Sequence, residues 1–279
     1  MKTLDGKVVA ITGAASGMGR ALSLACAARG SRLAISDIDE AGVQETAERA
    51  RALGGEVDAI KLDVASRAAI HAWAKHILDR FGGTDVLVNN AGVSLSHSIE
   101  AMSDEDFEWL FNINFWGVAN GCKAFLPQLK ARPEAHIVNT SSVFGIIAVP
   151  TQSAYNAAKF AVRGYTEALR QELRASNVRV TCVHPGGIKT EIARRGRHYE
   201  DAAGRPTDTA RAARQFEKMA RTSAEDAAEA IVGAILKERP RLLIGADAYL
   251  IDAVARIFPV GYARVIEQAL RFAPGADRS

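Results

Sequence analysis

Short apolar runs rich in β-branched residues alternate with longer helical patterns along most of this 279-residue chain. Short strands that are bounded by turns and separated by helices are typical of a parallel sheet covered on both faces. Because crossover connections in such sheets are right-handed, we expect an α/β fold with a doubly wound parallel sheet. The predicted strands lie at residues 7–12, 32–36, 57–62, 86–89, 136–139, 178–183 and 242–244. Predicted helices between them include one from residue 40 to about 53 and a long one from residue 104 to about 130.

The alternation is interrupted between residues 190 and 222, in a segment rich in Arg, Ala, Gly and polar residues that lacks a strand signal. Such a segment is long for a connection, and it is either a flexible linker or a functional lid. Its position at the end of a predicted strand favours the lid. We therefore predict one α/β domain over residues 1–245, which includes the lid segment (residues 190–222), and a C-terminal helical extension over 246–279.

Composition argues against several classes of protein. A net charge of +3 is close to balance, so no nucleic-acid partner is expected. Cys26, Cys122 and Cys182 are widely spaced within apolar runs, which predicts reduced, buried thiols rather than a disulfide or a metal site. No signal-peptide apolar region is expected, because the charged Asp5 and Lys7 come early, and no apolar run approaches the ~18 residues of a transmembrane helix. These features predict a soluble, cytoplasmic protein.

A glycine-rich stretch at residues 12–19 (TGAASGMG) follows the first predicted strand and opens the first helix. Glycines let the backbone approach a pyrophosphate closely, and a helix N-terminus offers free N–H groups and partial positive charge. The spacing is G-x-x-x-G-x-G rather than the G-x-G-x-x-G of the general dinucleotide motif, so a tight strand-to-helix turn is the alternative. The strand before the stretch and the helix after it favour a phosphate site.

Asp37 follows the second predicted strand, about twenty positions beyond the glycine-rich stretch. A carboxylate there can accept hydrogen bonds from the adenosine ribose hydroxyls of a dinucleotide, and it would repel a 2′-phosphate. The alternative is that Asp37 only caps the next helix, a role that Asp39 can fill instead. No Arg or Lys lies within the glycine-rich stretch or directly after Asp37, and Arg20 is expected to point along its helix. We therefore expect NAD rather than NADP.

Tyr155 is followed four residues later by Lys159, one helical turn away, so the phenol and the ammonium would lie on the same helix face. A nearby cation favours phenolate and lowers the pKa of a phenol from about 10 towards the working range of an acid–base catalyst. An isolated pair of this kind is more often a surface tyrosine and a solvated lysine. Among the five tyrosines, however, only Tyr155 has a lysine at this spacing, and other motifs accompany it.

Those motifs are the glycine-rich stretch, Asn89-Asn90-Ala91-Gly92, Ser142, Tyr155-x-x-x-Lys159 and Pro185-Gly186. In order and spacing they resemble the NAD-type branch of the short-chain dehydrogenase/reductase family, across about residues 5–245. The resemblance implies a Rossmann fold and an oxidoreductase that transfers a hydride between NAD(H) and a secondary alcohol/ketone pair. Asp63-Val64, after the third predicted strand, resembles the pair that holds the adenine ring.

The resemblance also implies a catalytic set. Ser142 would donate a hydrogen bond to the substrate oxygen; its neighbour Ser141 would point the opposite way if the strand alternation continues. Tyr155 would be the base in oxidation and the acid in reduction. Lys159 would lower the pKa of Tyr155 and bind the nicotinamide ribose.

Asn114 matches the residue that bends a helix and holds a water in the proton relay. Asn112 is the competing candidate, but the family spacing favours Asn114. The cofactor-binding residues that the resemblance implies are Gly13, Ser16, Gly17, Met18, Gly19, Asp37, Ile38, Asp63, Val64, Asn90, Ala91, Gly92, Tyr155, Lys159, Pro185, Gly186, Ile188 and Thr190.

The substrate side is expected to be rimmed by residues 94–99, 144–150 and the lid segment. Apolar side chains in the second of these predict a hydrophobic substrate, although they could equally pack the helix that carries Tyr155. They are Phe144, Ile146, Ile147 and Val149. Three lid arginines suggest an anionic substrate group, but exposed arginines are usually solvated, and solvation is our expectation for Arg194, Arg195 and Arg197.

The C-terminal extension carries two apolar helical faces. The first contains Leu250, Ile251, Val254, Ile257 and Phe258, and the second contains Val265, Ile266, Ala269 and Leu270. These faces could cover a neighbouring subunit, close the substrate pocket, or lie on a membrane surface with Arg256, Arg264 and Arg271 at their edge. We expect packing within the chain or in a homo-oligomer, a dimer or a tetramer, rather than membrane contact.

The leading interpretation is thus an NAD-dependent oxidoreductase that acts on a small-molecule alcohol or ketone. The alternatives are an NADP(H)-dependent ketone reductase and a nucleotide-sensing scaffold without turnover. The intact catalytic set favours an enzyme, because a pure binder has no need of a poised phenol. No metal is required, since the six His residues show no ligand spacing, and His97 and His184 are expected to be structural or to line the pocket.

Overall fold

The computed structural model describes residues 1–265 of the chain. Within them, nine strands follow one another as β1 (Val8–Thr12), β2 (Arg32–Asp37), β3 (Val57–Lys61), β4 (Val86–Asn89), β5 (Leu95–Ser96), β6 (Ala135–Thr140), β7 (Val178–Pro185), β8 (Arg197–His198) and β9 (Arg241–Ile244). Seven of them form one parallel sheet in the order β3-β2-β1-β4-β6-β7-β9, and β5 pairs with β8 outside it. The doubly wound parallel sheet is confirmed, and the predicted strands of this sheet begin and end within two residues of the observed ones.

The helices are α1 (Gly17–Ala27), α2 (Glu40–Ala52), α3 (Arg67–Phe81), α4 (Asp104–Phe111), α5 (Gly117–Lys130), α6 (Ser153–Glu172), α7 (Thr209–Met219), α8 (Ala224–Leu236) and α9 (Ala246–Ile257). Side-chain caps explain where several begin, because Asp39, Ser66, Ser103 and Ser223 each accept a backbone N–H from the first turn. The long helix predicted for 104–130 consists of α4 and α5 joined by a π-helical turn, Asn112–Trp116.

Both faces of the sheet are buried, as the continuous apolar strands predict. Along β1, Val9 and Ile11 belong to the core beneath α1, α2 and α8, whereas Val8 and Ala10 belong to the core beneath α3, α5 and α6. The strand order reverses between β1 and β4, so the carboxyl ends of these two strands open the crevice where doubly wound sheets bind ligands. The predicted site motifs lie at this edge.

The lid segment differs from its prediction, since it contains both a strand and a helix. Strand β8 pairs with β5, about a hundred residues earlier in the chain, and α7 follows it. A two-residue strand has no periodicity that sequence reasoning could detect, and its partner is distant. Within α7 only Ala213 is buried, so this helix lies on the surface.

In the extension, α9 does not bury its predicted apolar face. Leu250 and Ile257 are 66% and 69% exposed, whereas the buried Asp252 forms a two-pronged ion pair with Arg241 and a further one with Arg256. The second predicted face, with Ile266, Ala269 and Leu270, lies outside the described residues. The three cysteines are free and buried. Between residues 1 and 265 no helix is both long enough and apolar enough to cross a membrane.

Candidate active site

The glycine-rich turn joins β1 to α1 and packs directly on the end of β4. A Cβ on Gly19 would lie 2.0 Å from the Gly13 carbonyl oxygen, and Gly13 and Gly17 have φ of 71° and 51°. The Asn90 side-chain amide donates to the carbonyl of Thr12 at 3.0 Å. The Thr12 hydroxyl in turn accepts hydrogen bonds from the backbone N–H groups of Asn90 and Ala91. The turn is therefore held by close backbone contacts that only glycine permits.

The start of α1 is open to an anion. Its N-cap residue, Ser16, makes no side-chain hydrogen bond to the first turn, in contrast to the capped helices α2, α3, α4 and α8. No acidic side chain lies in that first turn. Free N–H groups and the partial positive charge of the helix end therefore face the crevice, next to Met18. This arrangement can bind a phosphate.

Asp37 lies beside the turn at the end of β2. One carboxylate oxygen accepts the Ala15 backbone N–H at 2.9 Å, and the other accepts the Asp39 backbone N–H at 3.0 Å. Asp39, rather than Asp37, caps α2 through the Gly42 N–H. The Arg20 side chain does not point along α1 as expected. Its guanidinium points towards α2 instead and pairs with Glu45 at 2.8 Å.

The other adenine-side residues line the same end of the crevice. Ile38 is 61% exposed beside Asp37, and Asp63 is exposed after β3, where its carboxylate accepts the Ala65 N–H. Val64 is buried against Gly117, on which a Cβ would lie 3.1 Å from the valine side chain. An exposed carboxylate, Asp63, and one exposed apolar side chain, Ile38, thus lie where the resemblance expects an adenosine.

Ser142, Tyr155 and Lys159 come together in a buried cluster at the carboxyl end of β6. Ser142 accepts the Phe144 N–H at 3.1 Å, and its side chain lies beside the Tyr155 phenol, whose pKa it lowers. The Lys159 ammonium donates to the Thr140 carbonyl at 3.0 Å and lies 5.6 Å from the centre of the Tyr155 ring. The three predicted residues can therefore act on one substrate oxygen.

Ser141 is separated from this cluster, as alternation predicts. Its hydroxyl donates to the backbone carbonyl of Lys159 at 2.8 Å, so it ties β6 to α6. A Cβ on Gly145 would lie 2.3 Å from the same hydroxyl. Ser141 therefore has a structural role, and Ser142 is the serine beside the phenol.

The pKa of Tyr155 does not shift in the direction that was expected from the nearby Lys159. Burial raises the pKa of Tyr155 to about 12, and the Ser142 side chain acts in the opposite direction. Burial likewise lowers the pKa of Lys159 to about 8. Desolvation penalises the charged form of each group, and it is the largest cause of both shifts.

Asn114 lies in the π-helical turn and is fully buried, whereas Asn112 is exposed. The Asn114 side chain forms two hydrogen bonds with the Val93 backbone, accepting its N–H at 2.8 Å and donating to its carbonyl at 2.9 Å. A Cβ on Gly92 would lie 3.2 Å from the Asn114 amide oxygen and 3.6 Å from the Lys159 nitrogen. The amide and the ammonium thus converge at Gly92, and the helix widens where Asn114 turns inward.

The end of β7 forms the opposite wall of the crevice. Ile188 is buried and forms an isolated β-bridge with Thr222. The Thr190 side chain reaches the glycine-rich turn, since a Cβ on Gly17 would lie 3.0 Å from that side chain. The first residues of the lid segment therefore cross over the turn.

One residue of this wall, Asp247, was not recognised in the sequence, and the contact that another residue, His184, makes was not predicted. Asp247, in the first turn of α9, accepts the Gly187 N–H at 2.7 Å and leaves no room for a side chain on Gly186. His184, next to Pro185, is fully buried and contacts the Ser142 carbonyl oxygen at 3.1 Å through Nδ1. Burial lowers the pKa of His184 to about 4. His184 was expected to be structural or pocket-lining, and nothing local signals its contact with Ser142.

All three lid arginines are exposed or partly exposed, and each is also paired with a carboxylate of the chain. Arg194 lies 3.4 Å from Glu191 and 3.5 Å from Glu217. Arg197 pairs with Asp106 and covers the Trp109 ring at 4.0 Å. Arg195 pairs with Asp39. The pairs of Arg195 and Arg197, together with β5–β8 pairing, hold the lid segment on the domain, whereas both partners of Arg194 lie within the segment itself.

The apolar loop after Ser142 reaches both the phenol and the extension. Phe144 packs edge-on against Tyr155 with ring centres 6.1 Å apart. Ile147 is buried, whereas Ile146 and Val149 are only half-buried and remain accessible. The Tyr262 hydroxyl accepts the Ala148 N–H at 3.0 Å, so the extension contacts this loop within the same chain.

Comparisons with known proteins agree with this geometry. Residues 7–201 match the family model described as short chain dehydrogenase. SadH of Mycobacterium tuberculosis, itself an inferred oxidoreductase, is 45% identical over 280 residues, covering 99% of this chain and 100% of that protein. A short chain dehydrogenase/reductase from Burkholderia phymatum, solved in complex with NAD, is 32% identical with a TM-score of 0.80 and covers 100% of both chains. An alcohol dehydrogenase from the archaeon Thermococcus sibiricus, complexed with 5-hydroxy-NADP, is 26% identical with a TM-score of 0.72, covering 86% of this chain and 96% of that one.

Proposed function

Because the chain belongs to the short-chain dehydrogenase family, and is an oxidoreductase of that family, we propose that it uses NAD to interconvert a secondary alcohol and the corresponding ketone. The observation that carries this proposal is the buried meeting of Ser142, Tyr155 and Lys159 beside a glycine-rich turn whose helix start is open. A scaffold that only senses nucleotides would have no use for this buried phenol.

The residues of the crevice fit the dinucleotide. The turn at Gly13 and Gly19 admits no side chain, so a pyrophosphate can approach the backbone at the start of α1. Asp37 would bind the adenosine ribose, and Ile188 and Thr190, which lie beside Thr222 and Gly17, would bind the nicotinamide carboxamide. The chemistry supplied by bound NAD⁺ is hydride acceptance at a positively charged ring.

The residues of this chain handle the proton. In oxidation the Tyr155 oxygen takes the proton of the substrate hydroxyl, and in reduction it returns one to the ketone oxygen. Ser142 donates a hydrogen bond to that oxygen and orients it. The Lys159 ammonium donates to the Thr140 carbonyl. If it turned from that carbonyl towards the crevice, it would stabilise the phenolate and bind ribose hydroxyls. Asn114, whose amide oxygen lies near Lys159 across Gly92, would complete the proton path.

The substrate is proposed to be hydrophobic. Support comes from Phe144 against the phenol and from the accessible Ile146 and Val149 on the same loop. The contact of Tyr262 with Ala148 gives the extension a part in covering this loop. We further propose a homo-oligomer, supported by large exposed aromatic side chains on neighbouring helical segments, Phe107, Trp116 and Phe160.

The function is tested by following NAD⁺ reduction at 340 nm over a panel of secondary alcohols of increasing apolar size, including steroid and acyl-chain alcohols. Turnover that rises with apolar size supports the proposal. Nucleotide binding without turnover on any member of the panel, or on the matching ketones with NADH, would favour the scaffold instead.

Asp37 should determine the preference for NAD. The Asp37 carboxylate would repel a 2′-phosphate, because like charges about 4 Å apart at an effective dielectric near 20 repel by roughly 4 kcal/mol before relaxation and screening. We therefore expect kcat/KM to be ~10–100-fold lower with NADP than with NAD. Replacing Asp37 with Ala and Ile38 with Arg should narrow or reverse the ratio of the two kcat/KM values. Similar kcat/KM for both cofactors in the parent enzyme would contradict this assignment.

The lid segment should become more protected when cofactor and substrate bind together, because hydride transfer needs water excluded and exchange needs an open site. Hydrogen exchange measured with NAD and a substrate analogue is expected to slow within residues 190–222. Peptides from α3, remote from the crevice, serve as the internal control. Equal exchange of the lid segment in the free and the ternary states would mean that it is a static connection.

A further inference from the structure

Arg195 of the lid segment reaches across the crevice to the adenosine end. Its guanidinium donates to the Asp39 carboxylate at 3.1 Å, although the two residues lie 156 positions apart in the chain. Asp39 follows Asp37 by two residues, and its backbone N–H is bonded to the Asp37 carboxylate. A cation from beyond β7 is thus brought beside the carboxylate proposed to bind the ribose.

Asp37 and Arg20 have close partners at this point, whereas Lys61, which lies opposite Asp37 on β3, is 4.0 Å from Glu40 and largely exposed. Both Asp37 oxygens accept backbone N–H groups, and Arg20 is held by Glu45, by the Thr46 hydroxyl and by the Ala15 carbonyl. Arg195, in contrast, has side-chain exposure of 46%, and its partner Asp39 has 34%. A partly exposed ion pair contributes little net free energy, so Arg195 can change partner at small cost. A guanidinium is also well matched to phosphate oxygens.

We propose that Arg195 is a second determinant of cofactor choice, which offers its guanidinium to a 2′-phosphate and so weakens the discrimination that Asp37 imposes. This inference rests on the proposed function, because it places the adenosine ribose beside Asp37. In the NAD complex Arg195 stays on Asp39. With a 2′-phosphate it moves to the phosphate, and Asp39 keeps its hydrogen bond from Gly42 at the start of α2.

Three substitutions distinguish recognition of a 2′-phosphate by Arg195 from a general closing contact of the lid segment. Arg195→Gln removes the cation but keeps a side chain of similar length. Asp39→Asn removes the competing carboxylate and retains a good helix cap. Arg194→Gln is the matched control, since it removes the neighbouring charge, whose partners are Glu191 and Glu217 and not Asp39.

The test measures binding of adenosine 2′,5′-bisphosphate and of 5′-AMP to the full-length protein by calorimetry, with thermal unfolding as a check on folding. Arg195→Gln should weaken binding of the bisphosphate about three- to tenfold and leave 5′-AMP unchanged. Asp39→Asn should strengthen binding of the bisphosphate, and Arg194→Gln should match the parent.

Unchanged bisphosphate affinity in a folded Arg195→Gln variant would overturn the proposal, as would equal weakening for both nucleotides, which would indicate a general closing contact. Either result leaves the dinucleotide site itself intact. A parent protein that binds neither nucleotide would overturn the proposed function together with this inference.

Discussion

Replacing Tyr155 with Phe is expected to lower kcat by about 10²–10⁴-fold, the range that a general acid–base group supplies. The ring can keep its edge-on contact with Phe144, so only the hydroxyl with its transferable proton is lost. The affinity for NAD should remain largely unchanged. Steady-state kinetics together with titration of NAD into the variant measure the two effects separately.

Tyr165→Phe is the matched control, because Tyr165 lies on the same helix and packs edge-on against Phe115. Removing its hydroxyl should leave kcat near that of the parent. Substantial activity in Tyr155→Phe would refute the assignment of Tyr155 as the proton-transfer group, whatever the behaviour of the control.

Replacing Gly19 with Ala is expected to disrupt the phosphate-binding turn. The new Cβ would lie 2.0 Å from the Gly13 carbonyl oxygen and 2.7 Å from the Asn90 amide nitrogen, so the backbone of the turn must shift. Overpacking of this kind costs about 1–3 kcal/mol of the free energy of unfolding. A displacement of about 1 Å at the reacting groups can lower kcat/KM roughly 100-fold. Thermal unfolding and kinetics with varied NAD measure the two effects.

The matched control is Gly233→Ala in α8, where a Cβ meets no atom within 4 Å. Alanine there should raise the free energy of unfolding by about 0.5–1 kcal/mol, because glycine is a poor helix former. If Gly19→Ala bound NAD as tightly as the parent and unfolded at the same temperature, the turn would not be the close backbone contact described here.

Much of the fold was predictable because its signals are local. The apolar runs predicted the strands of the main sheet, and the parallel arrangement then brought the ends of β1, β4, β6 and β7 to one edge. Sequence spacing put Tyr155 and Lys159 on one helix face, and the family resemblance identified Ser142 as the candidate beside them. The lid segment was located from its composition, but its strand β8 was not, because two residues carry no periodic pattern.

The contacts that complete the site join residues far apart in the chain, and no local pattern encodes them. Asp247 holds Gly187 from α9, His184 contacts the Ser142 carbonyl, and Arg195 reaches Asp39. The sequence also predicted a lowered pKa for Tyr155 from the nearby lysine. Burial decides otherwise, since it raises that pKa to about 12, and burial is a property of the packed protein.

The sequence by itself therefore determined the order of strands and helices along the chain, because each element depends on neighbours within a few positions, and it carried the family resemblance from which the residues proposed for chemistry follow. The tertiary structure alone decided how the lid segment is held, which distant residues contact Gly187 and Ser142, and which charges meet beside Asp37. Those outcomes depend on distances and desolvation between segments that only folding brings together.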